Sequence, residues 1–414
     1  MKFCRPPAIR PFKRSDMIMV SKEMYELGAK RSVIRELFEY GKQQAEIVGK
    51  ENVFDFSIGN PTVPAPKCVR EAIINLLETK RSDEIHGYTS AQGDFEVRKG
   101  IADYMNSRFK CQLKAENFYM TCGAAASLSI TLRALSVNPE DEFIIIAPYF
   151  PEYKVFIRNA GAKPIVVPAD TRDFQIQMDL LEGSINSHTK GIIINSPNNP
   201  SGVVYSKKTL RSLADLLKKK SKEYGRPLYL ISDEPYREIV YDGIQVPYIP
   251  ACYENTIVCY SYSKSLSLPG ERIGYILIPH CVENAKDVYT AVCGAGRSLG
   301  YVCAPSLFQK VILQCLGETS DIALYDANRK LLYDGLSKMD YQCVRPDGAF
   351  YLFVKSLEEN AVNFSENAKK FNLLIVPADD FGCQGYVRIS YCVDPEMIKR
   401  SFSAFQKLRD LYKR

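Results

Sequence analysis

Metal-binding residues are scarce in this 414-residue chain. Its three histidines, His86, His188 and His280, lie far apart, and none of its thirteen cysteines stands in a C-x-x-C pair. No zinc centre or other metal site is expected from such a distribution. The cysteine count is odd and the spacing irregular, and most sit in apolar company, as Cys259 and Cys315 do. They read as reduced thiols of a cytoplasmic protein, not as a disulfide framework. No apolar run reaches the ~20 residues a membrane helix needs. The N-terminus, M-K-F-C-R-P-P-A-I-R-P-F-K-R, is basic but lacks an apolar core and a small-residue cleavage pattern. A secretory signal is therefore not expected there. Repeats and low-complexity tracts are also missing. Net charge is only +6, and the densest basic cluster, Lys218 to Lys220 with Lys222, falls inside a predicted helix. It reads as a solvated helix face, and no nucleic-acid partner is expected. What is present is ordinary for a soluble globular protein of two or three domains: 46% hydrophobic and 25% charged residues.

The middle of the chain alternates short apolar runs with helical patterns. The runs are Phe143–Ala147, Ile165–Val167, Gly191–Asn195, Leu228–Ser232, Thr256–Tyr260 and Ile273–Ile278. Each is rich in β-branched residues and apolar without alternation, the pattern of strands buried on both faces of a mostly parallel sheet. Lys207–Tyr224 reads as a helix between two of them, so an α/β sheet covered by helices is expected. Ser32–Val48 reads as an amphipathic helix with Ser32 as its N-cap. Towards the C-terminus the pattern is mixed. Helices are expected near Asp326–Lys338, Phe364–Lys370 and Pro395–Leu411, and strands at Gly348–Val354 and Tyr386–Ser390.

The richest local chemistry is the run S-Y-S-K-S-L-S-L-P-G-E-R-I-G, Ser261 to Gly274. Lys264 stands after an apolar strand, and a lysine there can form a Schiff base with an aldehyde. Arg272 and the hydroxyl of Ser261 can hold a phosphate. Pyridoxal 5'-phosphate (PLP) requires both, since its reactive atom is an aldehyde and its anchor a phosphate. In open α/β sheets ligands bind beyond the carboxyl ends of strands. Asp233 follows one such strand, and Asn199 lies in the loop N-S-P-N-N-P-S-G after another. Asp233 taken alone is as good a turn cap as a ligand. Against PLP, its carboxylate would pair with the pyridine nitrogen and keep it protonated. Tyr236, in S-D-E-P-Y-R, and Asn199 would then hydrogen-bond the ring hydroxyl from two sides. In T-C-G-A-A-A-S-L, Gly123 permits a tight turn, and small Ala124 and Ala125 let backbone amides approach a phosphate at a helix N-terminus. Phe150, in A-P-Y-F-P-E-Y, is a candidate to stack on the ring and equally a core aromatic. Arg388, in Y-V-R-I-S, stands in a strand-like stretch. A lone strand arginine usually faces solvent; the alternative is a two-pronged grip on a substrate carboxylate.

Together these motifs resemble the class I/II aminotransferases of the PLP-dependent fold-type I superfamily, of the aspartate/aromatic kind. The resemblance runs from Asn52 to Val393. It includes Y-T-S-A-Q-G-D-F-E-V-R-K-G-I-A, the Gly123 turn, P-Y-F-P, N-N-P-S-G, S-D-E-P-Y, the lysine run, R-P-D-G-A-F-Y and V-R-I-S. It implies an α/β fold like that of aspartate aminotransferase. A large PLP domain, 51–324, would hold a mostly parallel, mixed seven-stranded sheet covered by helices. A smaller α+β domain would comprise 1–50 and 325–414. It implies a homodimer with shared active sites, in which Tyr88 reaches the partner's cofactor phosphate. Gly59, in S-I-G-N-P, would lie in the loop that shuts over substrate, and Arg388 would bind the α-carboxylate. Lys264 would hold the cofactor, be displaced by the amino acid, and then carry a proton from its α-carbon. The implied reaction is ping-pong transfer of an amino group from an L-amino acid, of aspartate/glutamate or aromatic type, to a 2-oxo acid. Arg297 lies close in sequence to the place where some aspartate enzymes put a second-carboxylate arginine. The loop I-G-N-P-T-V-P lacks the acidic residue often found after glycine in related enzymes.

One fold of this kind hosts several chemistries. A PLP-dependent carbon–sulfur β-lyase would share Lys264, Asp233 and Arg388. A non-enzymatic ligand-sensing domain fused to a DNA-binding module is a further alternative. Only about fifty residues precede the PLP domain, however, and they show no helix-turn-helix.

Overall fold

A computed structural model describes residues 20–29 and 32–413; the basic N-terminal run lies outside them. Seven strands form the main sheet: β1 Phe118–Thr121, β2 Glu142–Ile146, β3 Lys163–Val167, β4 Thr189–Asn195, β5 Tyr229–Asp233, β6 Thr256–Ser261 and β7 Gly274–Leu277. Their spatial order is β1-β7-β6-β5-β4-β2-β3. All neighbours are parallel except β7, which runs antiparallel to both β1 and β6. The apolar runs of the sequence thus become strands within one or two residues of expectation. The reversed direction of β7 carries no periodicity signal.

The unbroken hydrophobicity of these strands has a direct cause. Ile145, Ile193, Ile231 and Ile257 face one helical layer, in a cluster with Leu128, Leu132 and Val292. Ile144, Ile192, Ile194 and Leu230 face the other, with Leu210, Leu213 and Leu217 of the helix Lys207–Tyr224. Successive side chains on a strand point to opposite faces, so two buried faces need an apolar residue at every position. Each fully buried Ile or Leu contributes about 1.5–3 kcal/mol.

The C-terminal part builds a second, antiparallel sheet ordered Val376–Pro377, Tyr386–Ser390, Tyr351–Lys355, Cys343–Val344. Helices Ile322–Lys338, Ala361–Lys369 and Pro395–Asp410 pack around it. The helix Val33–Val48 is capped by Ser32, whose hydroxyl accepts from Arg35 N at 3.4 Å, and its Leu37 joins this sheet's Phe353 in one apolar cluster. Phe54–Asp55 pairs in parallel with Leu373–Leu374, and Phe56 is buried in the same C-terminal core. No described helix is long and apolar enough to cross a membrane.

Strand register decides where the polar groups emerge. Asn195 stands opposite Asp233, Asp233 opposite Cys259, and both Ser261 and Thr121 opposite Gly274. The ends of β4 and β5 are therefore level with each other, and those of β6, β7 and β1 lie two residues further out along the same edge of the sheet.

Candidate active site

Above that edge lies a cleft of about 960 Å³ including its mouth, lined by Lys264, Asp233, Arg272 and Arg388 among others. Its size is that of a small-molecule site. Lys264 sits in the single helical turn Tyr262–Ser265 that follows β6. Its Nζ donates to Gly59 O at 2.7 Å and stands 5.5 Å from the centre of the Phe350 ring. Burial pushes its pKa down to about 8, and the nearby cations Arg388 and Arg272 act in the same direction. Near neutrality the amine is thus closer to its nucleophilic form than a surface lysine.

Asp233 is the last residue of β5, one position earlier relative to the strand end than the sequence suggested, and it is 5% exposed. Its Oδ2 accepts from the Tyr153 phenol at 2.5 Å, while Oδ1 has no partner among the described residues. Burial raises its pKa to about 7; the Tyr153 bond offsets part of that and Glu234 adds to it. A buried carboxylate oxygen left without a donor is costly unless a ligand supplies one.

One end of the cleft is formed by the turn into the helix Ala124–Leu135. Gly123 is its N-cap at φ +86°, with no side-chain cap, so the first backbone amides remain free donors. A Cβ at Gly123 would stand 2.7 Å from Arg272 Nη2, so only glycine lets that guanidinium lie across the turn. Arg272 Nη1 donates to Pro269 O at 2.8 Å and Ser263 Oγ at 3.3 Å, and the Ser261 and Ser263 hydroxyls are 2.7 Å apart. Ala124, Ala125 and Phe150 line the cleft nearby. Phe150 meets Tyr153 edge-on at 5.7 Å.

Arg388 comes from the small sheet and is 2% exposed. Nη2 donates to Ser57 O at 2.5 Å and Nη1 to Asn199 Oδ1 at 3.2 Å, while Nε has no partner among the described residues. The guanidinium stacks 4.7 Å from the Tyr351 ring and 5.1 Å from that of Phe381. No described carboxylate pairs with it, and burial lowers its pKa. A buried cation without a counter-charge awaits an anion. The solvent-facing alternative for this residue is excluded. Tyr236 is buried, its hydroxyl 2.9 Å from that of Tyr351, and burial holds its pKa well above the usual phenol value. Asn199 is buried in the same cleft and receives support from Asn195, whose Oδ1 accepts from Asn199 N at 2.7 Å.

The fold thus gathers Lys264, Asp233, Tyr236, Asn199, Gly123, Ala124, Ala125, Phe150, Ser261, Arg272, Gly59 and Arg388 around one cleft. It does not bring Tyr88 or Arg297 there. Tyr88 is 91% exposed, and Arg297 is exposed on the helix Ala285–Ser298. Sequence reasoning missed Tyr153, Asn195, Ser263 and Tyr351. All four lie inside, or at the end of, segments already singled out: A-P-Y-F-P-E-Y, the strand ending at Asn195, S-Y-S-K and R-P-D-G-A-F-Y.

A family model described as aminotransferase class I and II matches residues 51–405. A probable N-acetyl-LL-diaminopimelate aminotransferase from Bacillus subtilis is 30% identical, over 86% of this chain and 89% of its own. The crystal structure of an amino transferase from Eubacterium rectale is 61% identical and superposes with a TM-score of 0.95, covering 96% of this chain and all of that one. That of aspartate aminotransferase from Thermotoga maritima is 29% identical with a TM-score of 0.83, over 94% and 99% of the two chains. The fold is accordingly of the aspartate aminotransferase type. These relatives are named for amino-group transfer, which does not favour the lyase alternative.

Proposed function

The chain belongs to the class I and II aminotransferases and is a transferase of amino groups; on that premise we propose that it works with PLP held at the Lys264 cleft. The family is generally PLP-dependent. The observation that carries the reading is Asp233 Oδ1, buried without a partner among the described residues in the cleft that also presents the Lys264 amine. The donor set fits the cofactor at its other end too, where free amides after Gly123 meet Arg272. When bound, PLP supplies an aldehyde for the lysine and a protonated ring that takes up electrons from the substrate α-carbon. Asp233 keeps the ring nitrogen protonated, and Tyr153 fixes that carboxylate from behind. Gly123, Ala124, Ala125, Ser261, Ser263 and Arg272 hold the phosphate. Phe150 covers a ring face, and Tyr236 and Asn199 address the ring hydroxyl. Arg388 grips the α-carboxylate of an L-amino acid, which turns the α-hydrogen towards Lys264. The Lys264 amine accepts that proton and returns it elsewhere, as a general base and then acid. Amino acid and 2-oxo acid occupy the same cleft in turn, which gives ping-pong kinetics.

For the substrate we propose the aspartate/glutamate or aromatic class. The Thermotoga maritima relative is named for aspartate. Tyr88 and Arg297, both exposed, are assigned to the cleft of a second copy in a homodimer: Tyr88 to the cofactor phosphate, Arg297 to a second carboxylate. An unchanged preference for aspartate or glutamate over neutral amino acids in Arg297→Ala would sink that assignment. The large unit, 51–324, and the small one, 1–50 with 325–414, are proposed as the two domains. The pairing of Phe54–Asp55 with Leu373–Leu374 favours a first boundary a few residues later. A cytoplasmic location agrees with twelve described cysteines, all unpaired.

The decisive experiment is spectroscopic. Purified protein supplied with PLP should show the visible absorbance of a lysine Schiff base, and single amino acids should convert it to the pyridoxamine form. Lack of that absorbance, or its survival in Lys264→Ala, would overturn the reading.

A further inference from the structure

Tyr351 is 2% exposed and touches three parts of the cleft at once. Its hydroxyl is 2.9 Å from that of Tyr236, its ring supports Arg388, and its phenol fills the space beside Gly59. Each of the two phenols has a single proton. Burial raises both pKa values, that of Tyr351 to about 12, so both remain protonated near neutrality. If Tyr236 donates into the cleft, its bond with Tyr351 can persist only with Tyr351 as the donor. The Tyr351 hydroxyl has no other hydrogen-bond partner among the described residues that would compete for its proton. The pair therefore has one productive order: Tyr351 donates to Tyr236, and Tyr236 donates to the acceptor in the cleft.

We propose that Tyr351 is a positioning residue that orients the Tyr236 proton into the cleft and thereby sets the pH at which the Lys264–cofactor linkage titrates. This rests on PLP occupying the site as proposed above. Donation from Tyr351 polarises the Tyr236 hydroxyl and makes it a stronger donor. A donor to the cofactor ring oxygen favours the state in which that oxygen carries undivided negative charge, which is the state where the Lys264 nitrogen has lost its proton. Weaker donation should move the titration to higher pH. The other charged or titratable groups facing this region are Arg388, Arg272, Cys392, Asp233, Tyr153 and Tyr325. All stay in place in Tyr351→Phe, which keeps the ring under Arg388.

The test is an absorbance titration of PLP-loaded wild type, Tyr351→Phe, Tyr236→Phe and the double variant. Tyr236→Phe should shift the midpoint upward by about one pH unit, and Tyr351→Phe by about 0.1–0.3, the share of that effect that cooperative polarisation supplies. The double variant should match Tyr236→Phe, because Tyr351 acts only through Tyr236. No shift in Tyr351→Phe, a downward shift, or additive shifts would overturn the proposal while leaving the cofactor assignment intact. A wild type that forms no Schiff base would overturn both.

Discussion

Replacing Arg388 separates what a buried cation costs from what it does. The side chain is 2% exposed, donates to Ser57 O and Asn199 Oδ1, and has no carboxylate partner among the described residues. A substrate carboxylate held by two charge-assisted bonds gains about 1.5–3 kcal/mol from each. Arg388→Met should therefore lower kcat/KM for an amino acid by about 10²–10⁴-fold. The carboxylate is gripped before and during reaction alike, so much of the loss should appear in KM. Arg388→Lys keeps a charge but neither the fork nor the stacking on Tyr351, and should fall between the two. Stability should behave differently. Removing the guanidinium orphans two acceptors at about 1–3 kcal/mol each, yet it also removes an unpaired buried charge, a penalty of several kcal/mol. These nearly cancel, so urea unfolding of the cofactor-free variant should move by no more than about 2 kcal/mol. The assay compares kcat/KM for an amino acid with that for the amine lacking its carboxylate. If Arg388→Met retains the wild-type ratio, the carboxylate assignment is refuted. If it unfolds, the charge was structural.

Three other outcomes follow from the site. The Lys264 pKa is lowered to about 8, so the rate of PLP uptake by cofactor-free protein should rise with pH around that value; a midpoint near that of free lysine would contradict the burial argument. The Asp233 pKa is raised from 3.8 to about 7, so between those values the folded state binds the extra proton and this group's stabilisation is lost as pH rises. Between pH 5 and 8 cofactor-free wild type should lose about 2–3 kcal/mol that Asp233→Asn does not, and parallel unfolding profiles would refute this. Gly123→Ala places a Cβ against Arg272 at φ +86°, a strain of about 1–3 kcal/mol, and should weaken PLP binding at least tenfold by equilibrium dialysis.

Much of this was readable in the chain. The helix Lys207–Tyr224 and strand Tyr386–Ser390 fall where periodicity puts them. Lys264, Asp233 and Asn199 are legible because strand ends deliver them, and a strand end is a local signal. What escaped is what depends on distance along the chain. Tyr153 reaches Asp233 across 80 residues, and Tyr351 reaches Tyr236 across 115. An aromatic in a motif does not say which polar group its hydroxyl will meet. The antiparallel β7 escaped for a related reason: side-chain alternation is the same in either strand direction.

Arg388 and Tyr351 come from neighbouring strands of the small sheet, Tyr386–Ser390 and Tyr351–Lys355, whereas Asp233 ends a strand of the large one and Lys264 and Gly123 stand in the turns just after its strands. The buried cation of the cleft and its buried amine thus hang on different sheets, so any slide of one sheet against the other changes the distance between them.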